Sequence, residues 1–267
     1  MARPPNPKIR EPDLVGFKYF KLLGPALEQL HDTACARHKA GNRKLHYDQY
    51  IALLLLYFFN PIVTSLRGMQ QASQLGKVQR KLGCPRASLG SLSEAARVFD
   101  ADLLAALVGE LAEELPAVTN CRDLNEVRGI VTLVDGTVLS ALPKLVRAMW
   151  GDAKGKHGIK LHTHFELLKG VPVRMDLTDG DGNERTVLRE HLLADRLYVL
   201  DRGYAKFQLF ADIVRAGSSF VCRVRDNSVY EVLEERQVSP EAQSGEIRRD
   251  RIVRFTGEQP RESGMDR

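Results

Sequence analysis

A chain of 267 residues, 43% hydrophobic and 27% charged, can bury one large core or two ordinary ones, which excludes a disordered chain. The longest apolar run, Ile51 to Phe59, falls well short of the roughly 20 residues that a membrane-spanning helix needs. Met1-Ala2-Arg3-Pro4-Pro5 lacks an apolar signal core, so a cytoplasmic protein without membrane contact is expected. Cys35, Cys84, Cys121 and Cys222 stand at wide, unpatterned spacing and read as free thiols of a reducing compartment.

The formal net charge of +5 is unevenly spread. From Cys35 to Arg86 nine Lys and Arg face one acid, Asp48; from Ala87 to Glu126 eight acids face two bases; from Leu142 to Arg174 seven bases face two acids. Two basic blocks around an acidic one suit two surfaces for a polyanion, although solvated surface charge has the same signature.

Residues 1–13 read as a loose arm. Leu14 to Ala40 has helical spacing, with Leu22, Leu23, Leu27 and Leu30 on one face. Tyr50 to Phe59 is apolar all round, as in a buried helix, and Asn60-Pro61 stops it. Thr64-Ser65 can cap a short helix through Gln74, and Gly83-Cys84-Pro85 breaks the chain. Ser91-Leu92-Ser93-Glu94 has capping-box spacing and predicts a helix to about Leu115, before Pro116.

The periodicity changes at Gly129. Ile130 to Val134 reads as a buried strand ending at Asp135-Gly136. Lys160 to Leu168 and Val171 to Leu177 form a hairpin around Lys169-Gly170. A helix over Asn183 to Ala194, a buried strand Leu197 to Leu200, a helix Lys206 to Ala216 and a strand Ser219 to Arg225 follow. The expected class is mixed α/β, with an all-helical region before a helix-covered mixed sheet.

Two apolar strands each run into an aspartate with glycine within two residues: Val134-Asp135-Gly136 and Leu200-Asp201-Arg202-Gly203. Carboxylates at equivalent ends of neighbouring strands, about 4.8 Å apart, can share a pair of divalent ions. Hard oxygen ligands select Mg²⁺ or Mn²⁺. Two ordinary strand-end turns would have the same dipeptides.

Further residues carry a resemblance. Thr64-Ser65-Leu66-Arg67-Gly68-Met69-Gln70-Gln71-Ala72-Ser73 and Ser91-Leu92-Ser93-Glu94-Ala95 resemble the N-terminal region of insertion-sequence transposases of family four. Val134-Asp135-Gly136-Thr137 is similar to the segment with that family's first catalytic aspartate. Lys160-Leu161-His162 and Val199-Leu200-Asp201-Arg202-Gly203-Tyr204 are similar to the segment with its second. The resemblance covers roughly residues 50–228. It implies an RNase H-like catalytic domain, metal-dependent DNA cleavage and strand transfer, and Asp135 and Asp201 as catalytic ligands of Mg²⁺ or Mn²⁺.

The implied organisation is a helical DNA-binding region (1–125), a partial RNase H-like catalytic domain (126–228), and the start of a β-rich insertion with a polar tail (229–267). The implied partner is double-stranded DNA, as transposon terminal repeats and as target, in a bacterial nucleoid; a homodimer is among the assemblies allowed. Arg37, Lys39, Arg43, Lys44, Lys77, Arg80 and Lys81 would contact phosphates, and Lys154, Lys156 and Lys160 would line the cleft of the two acids.

The family's third ligand is a Glu on a helix with Tyr, Arg, Glu and Lys at set spacing. Here Tyr230 is followed by Leu233, and Glu258 and Glu262 lie in a polar segment read as unable to hold a helix well. The expectation is therefore a C-terminally truncated transposase, with an incomplete two-metal site and little activity alone. A non-enzymatic DNA-binding remnant or inhibitor of transposition, and a nuclease of the same fold, stay open beside it.

Other signals lead nowhere further. Asp179-Gly180-Asp181-Gly182-Asn183 approaches a calcium loop, but Glu184 stands where such a loop needs glycine, so it reads as an acidic turn into a helix. His162 and His164 alternate along a strand and face one side, where structural roles are expected.

Overall fold

A computed structural model of the chain describes residues 9–31, 44–100, 102–118, 127–139, 158–245 and 247–265. The chain divides into two compact units, Met1–Leu107 and Val108–Arg267. Arg37, Lys39, Arg43, Lys154 and Lys156 lie outside the described residues.

The first unit is helical. Its first helix, α1 (Phe17–Glu28), starts after Gly16. That glycine has φ +86°, and a methyl group on it would press to 3.2 Å of the Phe59 ring. The buried residues here are Phe20, Leu27 and Leu30, whereas Leu22 is 76% exposed. The expected leucine face is thus only half right: the Phe20 ring, edge-on to Phe59 at 6.0 Å, sets the helix rotation.

Helix α2 (Tyr47–Phe59) begins earlier than its apolar run because the His46 N–H donates to Gln49 Oε1 (3.1 Å). It buries Ile51, Ala52, Leu53 and Leu56, but Phe58 faces solvent, so it is not apolar-packed all round. Asn60 ends it as expected: its buried amide donates to Leu56 O (2.7 Å) and its carbonyl oxygen accepts from Val15 N–H (2.7 Å).

Helix α3 (Leu66–Ser73) is capped by Ser65, whose hydroxyl oxygen accepts from Gly68 N–H at 3.2 Å. Replacing such a cap with alanine costs about 1 kcal/mol, so Ser65→Ala is expected to lower unfolding stability in urea by that much. Helix α4 (Gly76–Leu82) stops at Gly83, φ +63°, as the sequence indicates.

The long helix expected from Ser91 to Leu115 is two. Ser88, not Ser91, caps α5 (Leu89–Val98), accepting from Ser91 N–H at 3.0 Å. Phe99 is then extended, its ring stacked on Tyr47 at 4.6 Å, while the Tyr47 hydroxyl donates to Asp100 O. This tertiary docking interrupts the helix, and α6 (Asp102–Glu114) starts anew.

The second unit holds a five-stranded sheet of β1 (Ile130–Leu139), β2 (Ile159–Glu166), β3 (Val171–Asp179), β4 (Arg196–Leu200) and β5 (Ser219–Cys222). Its order is β3-β2-β1-β4-β5. The β1-β2-β3 meander is antiparallel, and β4 and β5 run parallel to β1. With α7 (Glu184–Glu190) between β3 and β4 and α8 (Phe207–Arg215) between β4 and β5, this is the RNase H-like mixed α/β class. Two-residue periodicity on β1 and β4 and the apolar face of α8 meet in one core of Val134, Leu188, Tyr198, Leu200, Tyr204, Leu209 and Ile213. Leu209 is fully buried, so Leu209→Ala should lower unfolding stability in urea by about 2–5 kcal/mol.

His162 and His164 are buried on one face of β2. His162 Nε2 meets Thr178 Oγ1 at 2.8 Å, which fits the structural role expected of it. After β5, β6 (Tyr230–Arg236) and β7 (Asp250–Phe255) form a two-stranded antiparallel sheet, with the short helix α9 (Pro240–Ser244) between them. Glu231 faces Arg254 and Glu235 faces Arg251 in ion pairs of 3.0 Å.

The polar segment after Phe255 corrects its sequence reading. Glu258–Ser263 is a helix, α10, closed by Gly264 at φ +73°, and it packs against α8. Pro260, at the third helical position, is the buried residue. A single proline ring supplies the apolar contact that no side-chain periodicity signalled. Among the described residues no helix is long and apolar enough to cross a membrane.

Candidate active site

The parallel ladder pairs Val134 with Leu200, so Asp135 and Asp201, each the next residue, stand side by side. Asp135 does not end its strand as the sequence suggested. On the β2 side β1 continues through Asp135↔Thr163 and Gly136↔His162 to Leu139↔Ile159; only its parallel partner β4 stops, at Leu200. Asp135-Gly136 is therefore not a turn. The chain leaves β4 at Asp201, whose Oδ1 accepts from Gly203 N–H at 2.9 Å and opens the 3-10 turn Arg202–Tyr204. Arg202 in turn pairs with Asp226.

Both carboxylates are exposed. Thr137 Oγ1 donates to Asp135 Oδ2 at 3.4 Å, and among the described residues neither acid is in an ion pair. Two adjacent anions without a neutralising base form an oxygen donor set suited to a hard divalent cation. Among the described residues, however, no three His, Cys, Asp or Glu side chains already converge as a complete ligand set.

A third carboxylate, not singled out by the sequence, lies beside them. Asn183 Oδ1 accepts from Arg185 N–H at 3.1 Å and starts α7, whose first residue is Glu184. A methyl group on Gly136 would come within 2.5 Å of Glu184 Oε1; one on Gly203 would lie 3.6 Å from Glu184 Oε2 and 3.0 Å from Asp201 Oδ1. The two glycines next to the aspartates thus make the space that Glu184 occupies. Lys160 Nζ reaches Glu184 Oε1 at 2.5 Å, with both side chains largely buried. Lys160, expected to line the cleft of the two acids, directs its charge at Glu184.

Beneath these acids Tyr204 is 1% exposed, and its hydroxyl has no hydrogen-bond partner among the described residues. Burial first, then the charges of Glu184, Asp135 and Asp201, push its pKa far up, so it stays a neutral potential donor. Only its place in the Asp-Arg-Gly-Tyr motif flagged it in the sequence.

Of the other sequence-chosen bases, Lys44, Arg80 and Lys81 are exposed, and Lys77, Arg80 and Lys81 share α4. The Lys77 ammonium sits over the Phe17 ring at 4.7 Å, and its backbone N–H donates to Glu11 Oε1 at 2.7 Å. All four belong to the first unit.

The family described as Transposase DDE domain matches residues 128–264. The chain belongs to the DDE-domain transposases. The match takes in β1 with Asp135, β4 with Asp201, α7 with Glu184, and the two-stranded β6–β7 sheet with α10. Outside the family description, the chain is similar to the Putative transposase y4zB of Sinorhizobium fredii, 27% identical over 132 residues, which are 49% of this chain and 35% of that protein. Among solved structures it has a distant likeness to the piggyBac transposase of a synaptic complex with hairpin DNA: 12% identity and TM-score 0.37, covering 79% of this chain and 50% of that one. This DDE-domain chain thus spans about a third of its curated relative and half of its structural one.

Proposed function

We propose that the chain acts in DNA transposition by an insertion sequence of family four, binding element ends through its basic helical unit and holding a catalytic divalent cation at Asp135 and Asp201. The observation that carries this reading is the side-by-side placement of the two aspartates on parallel β1 and β4, within the transposase domain. A bound Mg²⁺ or Mn²⁺ would activate an attacking water or 3′-hydroxyl and stabilise the leaving oxygen in phosphoryl transfer. The chain's own residues supply the rest. Gly136 and Gly203 leave room for Glu184 near the two aspartates, Asp201 fixes its turn through Gly203, and Lys160 places its positive charge against Glu184.

Two assays test the proposal together: a gel shift on the element's terminal inverted repeats, and cleavage of the same DNA with Mg²⁺ or Mn²⁺. Binding with metal-dependent nicking that vanishes in Asp135→Ala supports it. Binding without any cutting favours a DNA-binding remnant or inhibitor, and cutting without end preference favours a nuclease.

DNA affinity should fall steeply with salt through counterion release, by a log–log slope of about 0.9 per phosphate contact. Changing Lys44, Arg80 and Lys81 together to Gln should flatten that slope by about 2 to 3. An unchanged slope would remove these residues from the interface.

A further inference from the structure

We propose that Glu184 is a third carboxylate of the Asp135–Asp201 site, held in the metal-free chain by the Lys160 ammonium, and that a divalent cation takes Lys160's place among the three acids. The inference rests on the reading of Asp135 and Asp201 as cation ligands.

The first support is placement. Glu184 Oε2 and Asp201 Oδ1 both border the space above Gly203, at 3.6 and 3.0 Å from where a methyl group would sit, while Glu184 Oε1 borders that above Gly136. A side chain at either glycine would displace Glu184 from the strand ends. The second is charge. The charges of Glu184, Asp135 and Asp201 all reach the Tyr204 hydroxyl, and among the described residues Lys160 makes their one ion pair. A single ammonium leaves the cluster negative, whereas a divalent ion with oxygen ligands would neutralise more of it.

The third support is independent of the acids. The Tyr204 hydroxyl is buried beneath them without a partner, and an unsatisfied buried hydroxyl costs about 1–3 kcal/mol. A carboxylate oxygen that turns into the site gives it an acceptor. Because no three ligands converge as the side chains now stand, Glu184 must turn away from Lys160 when the cation enters. Lys160 is then freed toward the cleft, where a phosphate of the DNA can receive its charge.

The test is Mn²⁺ titration of the purified 267-residue chain by calorimetry, with urea unfolding of every variant as a folding control. Glu184→Gln keeps the shape and removes the charge; it should weaken Mn²⁺ binding by about tenfold or more. Lys160→Met removes the competing cation and should tighten binding several-fold, an outcome opposite to that of a purely structural ion pair. Wild-type affinity in Glu184→Gln, while Asp135→Asn has lost binding, overturns the role of Glu184 and keeps the two-aspartate site. Unchanged or weaker binding in Lys160→Met overturns the exchange. Wild-type affinity in Asp135→Asn, or no Mn²⁺ binding by the wild-type chain, overturns the underlying reading as well.

Discussion

Asp135→Asn is expected to reduce Mn²⁺ affinity by about 100-fold while leaving the fold intact. A carboxylate and a divalent ion a few ångströms apart attract by several kcal/mol even in a polarisable surrounding. Water that replaces the lost ligand returns part of that, leaving about two orders of magnitude, or about 2.7 kcal/mol. The amide preserves the shape of the side chain, and the residue is exposed on a strand paired on both sides, so unfolding in urea should barely change. Asp201→Asn should behave alike, because an amide oxygen can still accept from Gly203 N–H and keep the 3-10 turn. A variant that binds Mn²⁺ as well as the wild type would place the ion elsewhere.

The second large effect is acid destabilisation through the buried histidines of β2. His164 is 5% exposed, and its Nε2 has no hydrogen-bond partner among the described residues. Burial, opposed by Asp176 and reinforced by Arg174, His191 and Arg196, lowers its pKa from 6.5 to about 4. Burial lowers that of His162 too, with Lys160 acting in the same direction.

A base whose folded pKa is depressed is neutral in both states above its unfolded pKa, and there it leaves stability unaffected by pH. As pH falls below 6.5 the unfolded chain takes up the proton first, so stability drops until the folded pKa near 4 is passed. For His164 alone that loss is about 3 kcal/mol. The urea midpoint should thus be level from pH 8 to 7 and decline from 6.5 to 4. In His164→Leu the decline in unfolding free energy should be smaller by that amount. Because carboxylates elsewhere also titrate toward pH 4, the difference between the two proteins is the quantity to read. An equal decline in both would show that His164 is protonated in the folded chain.

Local signals in the sequence were enough for most of the elements, and they marked Asp135 and Asp201, which follow the paired residues Val134 and Leu200. Gly129 marks the change from helical to strand periodicity, and the hairpin at Lys169-Gly170 lies where its turn residues put it. What local signals could not supply is pairing. Asp135 looked like a strand end because the apolar run stops there, but hydrogen bonds to β2 carry the strand on to Leu139. The helix break at Phe99 depends on Tyr47, 52 residues earlier, offering a stacking surface.

Glu184 was the largest omission. Its spacing disqualified a calcium loop and suggested nothing else, because its meaning comes from Gly136 and Gly203, which lie far from it along the chain and meet it only across the folded sheet. The helix at Glu258–Ser263 was equally hidden, since one buried Pro260 docks it and periodicity cannot report a single contact.

The central claim, that Asp135 and Asp201 form a cation site where β4 ends beside β1, is tested most directly by anomalous diffraction from crystals grown with Mn²⁺. The account predicts an anomalous peak in contact with both carboxylates, at metal–oxygen distances of about 2.0–2.6 Å. A peak away from both residues, or carboxylates separated by more than roughly 10 Å, beyond any two-ion span, would contradict it.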